Sequence, residues 1–226
     1  MGTYSKTAIL NAAALGAFAV GTAFVLGITF TATREPIAES QRQAEERALL
    51  QVIGDRPFDN DLLNDRIPLN PSMANNLNTQ GTARVIRSEG DIQVFILPAV
   101  APDGYSGDIS LIVGVDVEGN LLGVRVVEHR ETPGLGDKVD TQKSDWILQF
   151  AGLSLENPAE NRWAVRKDGG HFDAFTGATI TPRAVVNMIK TALVEYRKES
   201  DELIQLARQN QTTSGNIVEA ETNGDQ

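Results

Sequence analysis

The chain has 226 residues, no cysteine, two histidines and a formal net charge of -10 at pH 7. This length is sufficient for one domain of ordinary size with a buried core and additional attached segments. The lack of cysteine excludes iron–sulfur clusters, thiolate zinc sites, disulfides and cysteine nucleophiles, while the acidity and the lack of a basic stripe argue against nucleic-acid binding.

Residues 8–30 form the first predicted element, an uncharged stretch of 23 positions in which Asn11 is the only strongly polar residue. At about 1.5 Å per residue, such a helix crosses the roughly 30 Å hydrocarbon core of a bilayer. A cleaved signal peptide is the alternative, but its apolar region is shorter, about 7–15 residues. Ala13, Ala17 and Gly21 share one helix face, which favours close packing against another transmembrane helix or reflects the abundance of small residues in such helices.

The positive charges around this stretch leave its orientation open. Only Lys6 and the α-amino group precede it, whereas Arg34, Arg42 and Arg47 follow it. Counting positive charges alone therefore favours an N-terminus outside the cell, although long domains cross membranes largely regardless of such charges.

Residues 31–80 are predicted to link the membrane segment to a folded domain. The range 35–53 has helical periodicity, and Gly54 is placed to end that helix. Residues 55–80 are rich in Asn, Asp and Pro and indicate an irregular connection. This connection is long for a plain loop, so part of it is expected to pack on the domain.

From residue 83 the pattern changes to alternating, β-branched runs. Short turns are predicted at Glu89-Gly90 and Glu118-Gly119-Asn120, each between two such runs. The predicted strands cover 83–88, 91–100, 107–117 and 121–129.

The C-terminal third is predicted to contain more helix. Residues 141–150 suggest a short helix ended by Gly152, and residues 162–175 suggest a last hairpin around Asp168-Gly169-Gly170. Pro182 is placed at the first position of a long helix that ends near residue 208. Residues 209–226 are polar and predicted to be disordered. The expected fold is therefore α+β, with one N-terminal transmembrane helix and a single domain, residues 81–208, of antiparallel strands and a long C-terminal helix.

Two loops have the composition of a binding site. The first, "EHRETPGLGDKV" at 128–139, follows a strand and contains Gly134 and Gly136, which allow backbone to approach a flat ligand closely. Glu131 and Thr132 add hydrogen-bonding groups. The alternative is an ordinary loop, and the spacing is not a dinucleotide-binding fingerprint because the third glycine is missing.

The second loop, "HFDAFTGATITPR" at 171–183, places several hydroxyls at a predicted helix start. Unsatisfied N–H groups and a partial positive charge gather there and favour a phosphate. Thr176 and Thr181 are able to hydrogen-bond such a phosphate, and Gly177 and Ala178 leave room for it. The alternative is a simple turn in which Thr181 caps the helix.

The sequence indicates neither hydrolase activity nor a metal site. No nucleophile, base and orienting group form a recognisable triad, so hydrolase activity is not indicated. Asp137, Asp140 and Glu131 are scattered on a loop where solvent is expected to satisfy them, and they do not indicate a metal site.

Both loops match one family. "DAFTGATIT" resembles the covalent-flavin attachment motif, and "HRETPGLGDK" resembles the companion loop of the same FMN-binding domain. Together with the N-terminal span, they resemble the G subunit of the Rnf/Rsx ion-translocating oxidoreductase and, more distantly, the C subunit of the sodium-pumping NADH:quinone reductase. The resemblance covers the span and roughly residues 83–208.

The resemblance implies one covalent FMN per chain, bonded through its phosphate to Thr179 by a flavin transferase that recognises Asp173. Thr181 then becomes the helix cap. The remaining implied cofactor-binding residues are Thr176, Gly177, Ala178, Ile180 and Thr181 at the attachment loop, and Glu131, Thr132, Gly134 and Leu135 beside the isoalloxazine or ribityl group.

The resemblance also implies a function, namely electron relay in a bacterial inner-membrane complex that links ferredoxin and NADH and moves Na+ or H+. Residues 1–7 are then cytoplasmic and the flavin domain periplasmic, against the charge count. The implied partners are the other subunits, the transferase and the membrane. No direct NADH binding is expected because no Rossmann unit is present. The alternatives are the equivalent subunit of the quinone reductase, and a cofactor-free, membrane-anchored assembly or binding protein.

Overall fold

The computed structural model describes residues 2–62 and 64–222, with the side chains of 2–7, 38, 41, 44, 45 and 212–222 outside that description. The described part therefore does not include the side chains of the predicted cytoplasmic start or of four positions in the linker helix. Residues 223–226 of the predicted tail also lie outside it. The chain divides into two compact units, Met1–Glu46 and Arg47–Gln226. The elements in chain order are α1 (Gly2–Ile53), β1 (Arg66–Pro68), α2 (Pro71–Asn76), β2 (Thr82–Ser88), β3 (Asp91–Ala101), β4 (Ile109–Asp116), β5 (Leu121–Glu128) and α3 (Ile180–Thr222).

Helix α1 contains the predicted membrane segment. Ala8–Ile37 has a mean hydropathy of 2.0 and, by length and composition, is able to cross a bilayer. The hydroxyls of Thr22, Thr29 and Thr33 donate to carbonyls three or four residues earlier, which satisfies these polar groups within the helix, as a bilayer would require. The packing face formed by small residues stays a prediction.

The end of α1 packs on one face of the sheet. The predicted stop at Gly54 is confirmed, because this residue has a φ of 63° and its N–H donates to the Leu50 carbonyl over 2.9 Å. Leu49 and Val52 are buried against Ile96 and other apolar residues of the sheet. This contact needs glycine at position 114, because a Cβ there would lie 2.5 Å from Val52 Cγ1.

The strands form one antiparallel sheet in the order β1-β2-β3-β4-β5, which confirms the predicted α+β class. The turn between β2 and β3 falls at Glu89 and Gly90, both with positive φ, as the sequence indicates. The connection 55–80 contributes β1 and α2, and Ile67, Met73 and Leu77 are buried. Part of that connection therefore packs on the domain as expected, and the sheet begins before the predicted boundary at residue 81.

Helix α3 covers the opposite face of the sheet. Phe95 and Leu97 of β3 pack in the larger core with α3, whereas Val94 and Ile96 point to the α1 side. Since both faces are buried, β3 is apolar at consecutive positions rather than at alternate ones. Tyr196 of α3 places its ring 5.9 Å from that of Phe95.

The predicted hairpin at 162–175 is wrong, since this stretch contains no strand. Its aromatic residues form a cluster instead, in which the Phe172 ring lies 4.8 Å from Phe150 and 4.9 Å from Trp163. Two short 3-10 helices, Glu160–Arg162 and Arg166–Asp168, carry the chain around this cluster. The short helix predicted in 141–150 is present as a 3-10 helix, Asp145–Phe150, and Gly152, with a φ of 78°, follows it. Burial of large rings from both sides of the turn overrides the alternating pattern.

Both ends of α3 differ from prediction. The helix begins at Ile180, so Pro182 is its third residue, where a missing N–H is still tolerated. The Thr179 carbonyl accepts from the Arg183 N–H over 3.2 Å, which puts Thr179 at the N-cap position. The predicted capping role of Thr181 is therefore wrong. The helix continues to Thr222, beyond the predicted end near 208, and the Gln211 side chain donates to the Gly90 carbonyl.

Candidate cofactor site

A cavity of about 260 Å³ lies at the N-terminal start of α3. Three segments form its wall: the loop between β3 and β4, the loop after β5, and the turn that leads into α3. The lining residues are Tyr105, Glu131, Thr132, Leu135, Gly136, Gly177, Ala178, Thr179, Ile180 and Thr181.

A tight turn presents Thr179 to this cavity. The Ala178 N–H donates to the Phe175 carbonyl over 3.1 Å, and Gly177 has a φ of 82°. A four-residue turn with positive φ at its third position favours glycine there. Phe175 is anchored in turn, because its ring lies 5.0 Å from Trp146. The aromatic cluster thus fixes the backbone immediately before Thr179.

The start of α3 gives this end of the cavity an electrostatic preference. The first N–H groups of a helix lack partners within it, and the helix dipole adds a partial positive charge. Thr179 and Ile180 stand at that start and line the cavity. Of the residues that the structure describes, no lysine or arginine lines the cavity. An anion at this wall is therefore stabilised by backbone rather than by a cationic side chain.

Glu131 joins all three segments of the wall. Its side chain is 4% exposed, and its carboxylate accepts from the Ser106 N–H over 2.9 Å and from the Thr181 hydroxyl. Two glycines make room for it. A Cβ on Gly136 would lie 2.6 Å from Glu131 Oε2, and one on Gly104 would lie 3.0 Å from Oε1.

A second carboxylate is buried beside the cavity. Asp137 is 7% exposed, and its Oδ1 has no hydrogen-bond partner among the residues that the structure describes. The expectation that solvent satisfies Glu131 and Asp137 is therefore wrong, because both are buried, Asp137 within a 3-10 helix, Gly136–Val139. Within the described ranges, no three His, Asp or Glu side chains are grouped to hold a metal ion.

The structure brings together most of the predicted binding residues. All of them line the cavity except Thr176 and Gly134, which are exposed at the corners of their turns. Gly136 and Tyr105 line it as well but were not predicted as binding residues. Gly136 lies inside the quoted loop, whereas Tyr105 carries no sequence signal because it lies in a separate loop, distant along the chain.

Asp173, the predicted recognition residue, lies outside this lining and is exposed. Its carboxylate is 3.1 Å from Arg166, and its carbonyl accepts from Trp146 Nε1 over 2.8 Å. A neighbouring pair joins the last 3-10 helix to α3: Arg183 donates to both oxygens of Asp168, over 2.6 and 2.8 Å. This hydrogen bonding lowers the pKa of Asp168 and raises the pKa of Arg183.

Comparisons with known proteins follow the same division of the chain. A family model described as FMN-binding domain matches residues 104–194, and one described as RnfG N-terminal region matches residues 1–52. The G subunit of the ion-translocating oxidoreductase complex from Pseudomonas aeruginosa UCBPP-PA14 is 44% identical over 199 residues, which are 88% of this chain and 93% of that protein. This chain belongs to the RnfG family. The corresponding G subunit of Photorhabdus laumondii is 46% identical, over 79% of this chain and 86% of that protein. The G subunit of Shewanella loihica is 40% identical, over 88% of this chain and 94% of that protein.

Every residue that lines the cavity falls within the FMN-binding match. The N-terminal match includes the whole apolar stretch Ala8–Ile37 and continues to the turns of α1 that pack on the sheet. The two matches therefore cover both the helix that is able to cross a membrane and the domain that contains the cavity.

Proposed function

We propose that this chain is the electron-transfer subunit of a membrane-bound, ion-translocating oxidoreductase complex, and that it carries one FMN bonded through phosphate to Thr179. The observation that carries the proposal is the position of Thr179, which lines the cavity at the start of α3, within the FMN-binding match.

The residues present fit FMN. A flavin has a flat, largely apolar ring system at one end and an anionic phosphate at the other. The cavity offers the side chains of Leu135, Ile180 and Tyr105 to the ring, and the start of α3 to the phosphate. Its volume of about 260 Å³ is below the roughly 300–1,000 Å³ of ordinary ligand sites. Part of the cofactor would therefore remain outside the wall.

Attachment requires a balanced group transfer. The Thr179 hydroxyl oxygen forms a bond to the FMN-side phosphorus of FAD, the pyrophosphate bond breaks, AMP leaves, and the hydroxyl proton is released. A separate flavin transferase supplies this chemistry, and Asp173, exposed beside the turn, serves as part of its recognition signal. Once bound, the flavin supplies the redox chemistry, while the chain positions it and tunes its potential.

The place of the subunit follows from the same proposal. Ala8–Ile37 anchors the chain in the bacterial inner membrane, with the N-terminus in the cytoplasm and the cavity on the periplasmic side. The chain exchanges electrons with other subunits of an Rnf-type complex that links ferredoxin and NADH and moves Na+ or H+. The match to the RnfG N-terminal region favours this complex over the sodium-pumping quinone reductase.

The attachment is tested by denaturing electrophoresis under ultraviolet light and by intact mass. Protein made in cells that possess the transferase is expected to fluoresce after denaturation and to be heavier by one FMN less one water. Thr179→Ala removes both signals, because no oxygen remains to bond the phosphorus. The matched control is Thr191→Ala, a half-buried threonine on α3 that does not line the cavity, which should retain both.

Two results would contradict this proposal. A non-fluorescent wild-type band at the unmodified mass would favour a cofactor-free assembly or binding protein. Fluorescence retained in Thr179→Ala would place the bond on another residue. The sidedness is tested separately by protease access to residues 209–226 from the outer face of spheroplasts, where cleavage is expected.

A further inference from the structure

Tyr105 is an unusual residue in the wall of the cavity. Its side chain is 68% exposed, although it lines the cavity together with residues of the attachment turn. An aromatic ring held in solvent at the edge of a site gains contact area when a flat ligand stacks against it. The contact that this ring makes with a ligand therefore depends on its position at the edge of the cavity and not on its burial in the protein.

The backbone on both sides of Tyr105 is closely constrained. A Cβ on Gly104 would lie 2.1 Å from the Gly107 carbonyl oxygen, so the loop crosses itself at this point. Gly107 has a φ of 117°, a conformation that side chains rarely adopt. Next to Tyr105, the Ser106 N–H donates to Glu131. The loop is thus folded back onto one buried carboxylate.

That carboxylate also bonds to the start of α3. Thr181 is 1% exposed and donates its hydroxyl to Glu131, two residues after the attachment site. No salt bridge of Glu131 occurs among the described residues, and its partners are uncharged donors. A buried carboxylate held in this way fixes geometry, because moving either donor leaves an unsatisfied charge.

We propose that Glu131 is a positioning residue that holds Tyr105 across the mouth of the cavity, where the phenol ring covers the flavin. This inference rests on the proposed function, since it needs a flavin on Thr179. The two oxygens of Glu131 have separate roles, because one binds the Tyr105 loop and the other binds the helix that carries the cofactor.

The readout is native flavin fluorescence per bound flavin, because a phenol ring stacked on a flavin quenches its emission. Loading is measured independently from the fluorescent band after denaturation. Tyr105→Ala is expected to raise native fluorescence severalfold. Glu131→Ala removes both hydrogen bonds and should produce the same rise as Tyr105→Ala.

The double variant separates positioning from general loosening of the domain. If Glu131 acts through Tyr105, Glu131→Ala adds no further fluorescence to Tyr105→Ala. An additive rise, or unchanged fluorescence in either single variant, would overturn the proposal. Ser106→Ala is the matched control, because the donor is a backbone N–H that survives the substitution, and it should behave as wild type.

Glu131→Gln tests the charge apart from the geometry. Its amide oxygen still accepts from Ser106, and its NH2 group donates to Thr181, so Tyr105 stays and fluorescence remains near wild type. The flavin midpoint potential should shift to more positive values, because a buried negative charge beside the ring disfavours added electrons. A purely structural role leaves the potential unmoved, and an unmoved potential would place the carboxylate away from the ring, against the proposal.

Thr181→Val tests the same contact if the Glu131→Ala protein does not bind flavin. It removes one donor and keeps the carboxylate, so a partial rise in fluorescence is expected, with Thr181→Ser restoring the wild-type value. No rise would overturn the proposal. Failure of the proposed function is distinguishable, since the wild-type band would then lack fluorescence after denaturation, whatever residue stands at position 105 or 131.

Discussion

Two buried charged residues tie α3 to the rest of its domain, and they do so in opposite ways. Glu131, near the start of the helix, receives only uncharged donors. Arg87, on β2, is also buried, but it is 2.6 Å from Asp65 and donates to the Ala207 carbonyl of α3 over 2.7 Å. Asp65 thus neutralises the charge of Arg87. Among the described residues, no cationic side chain neutralises the charge of Glu131.

This difference separates a stabilising contact from a functional one. A buried ion pair with additional hydrogen bonds has little external field and chiefly specifies how elements pack. A buried carboxylate without a cation projects its charge into the neighbouring cavity, where the low dielectric weakens screening. We therefore expect substitutions at Arg87 to change stability alone, and substitutions around Glu131 to change the properties of the cofactor as well.

The largest effect on stability is expected from Arg87→Ala. It leaves Asp65 partly buried without its partner, and breaking a buried pair costs roughly 3–5 kcal/mol. Chemical denaturation of the detergent-solubilised chain measures this loss. The flavin midpoint potential should not change, because Arg87 is not among the residues that line the cavity. A potential shift as large as that of Glu131→Gln would contradict the distinction.

The second prediction compares two alanine substitutions that each force a Cβ into occupied space. Gly136→Ala pushes against Glu131 Oε2 and Thr181 Oγ1, at 2.6 and 2.7 Å, whereas Gly114→Ala pushes against Val52 Cγ1 at 2.5 Å. Overpacking of this kind costs roughly 1–3 kcal/mol in either place.

Only Gly136→Ala should also raise native flavin fluorescence, because it separates Glu131 from Thr181. The matched variant Gly114→Ala should lower the denaturation midpoint and leave fluorescence per flavin unchanged. Equal fluorescence changes in both would mean that loosening anywhere in the domain exposes the flavin, and the contact between Glu131 and Thr181 would lose its special role.

The smallest effect is expected at the exposed pair of Asp168 and Arg183, whose side chains are 37% and 40% exposed. Hydrogen bonding to Arg183 lowers the pKa of Asp168. Its stabilisation is therefore present above the unfolded value of about 3.9 and is lost as the pH falls through the lower folded value. In Asp168→Asn, the free energy of unfolding should depend less on pH below about pH 4. At pH 7 in high salt, it should differ little from that of the wild type.

The sequence predicted the sheet and most of the cavity because both depend on local patterns. Runs of β-branched residues and the turn at Glu89-Gly90 place strands without reference to distant parts of the chain. The glycine-rich loop and the threonine turn were likewise predicted from composition at short range, and the resemblance joined them into one site.

The failures have a common physical cause in contacts between distant segments. Trp163 and Phe172 were assigned to strands because aromatic residues favour them, but rings from 146–175 pack on one another instead. Thr181 was assigned a cap because it precedes Pro182, whereas its hydroxyl donates to Glu131, which is distant along the chain. The loop of Tyr105 bonds to the same carboxylate through the Ser106 N–H. None of these partners is visible from sequence spacing.

The small volume of the cavity bears on how a cofactor would be retained there. A ligand held only by contacts needs an enclosing site, because its residence time depends on the surface it buries. The tether proposed at Thr179 would instead set a high effective concentration at the site, independent of buried area. With such a tether the wall would not need to enclose the ring, and one edge of a flavin bound there would stay open to an approaching redox partner.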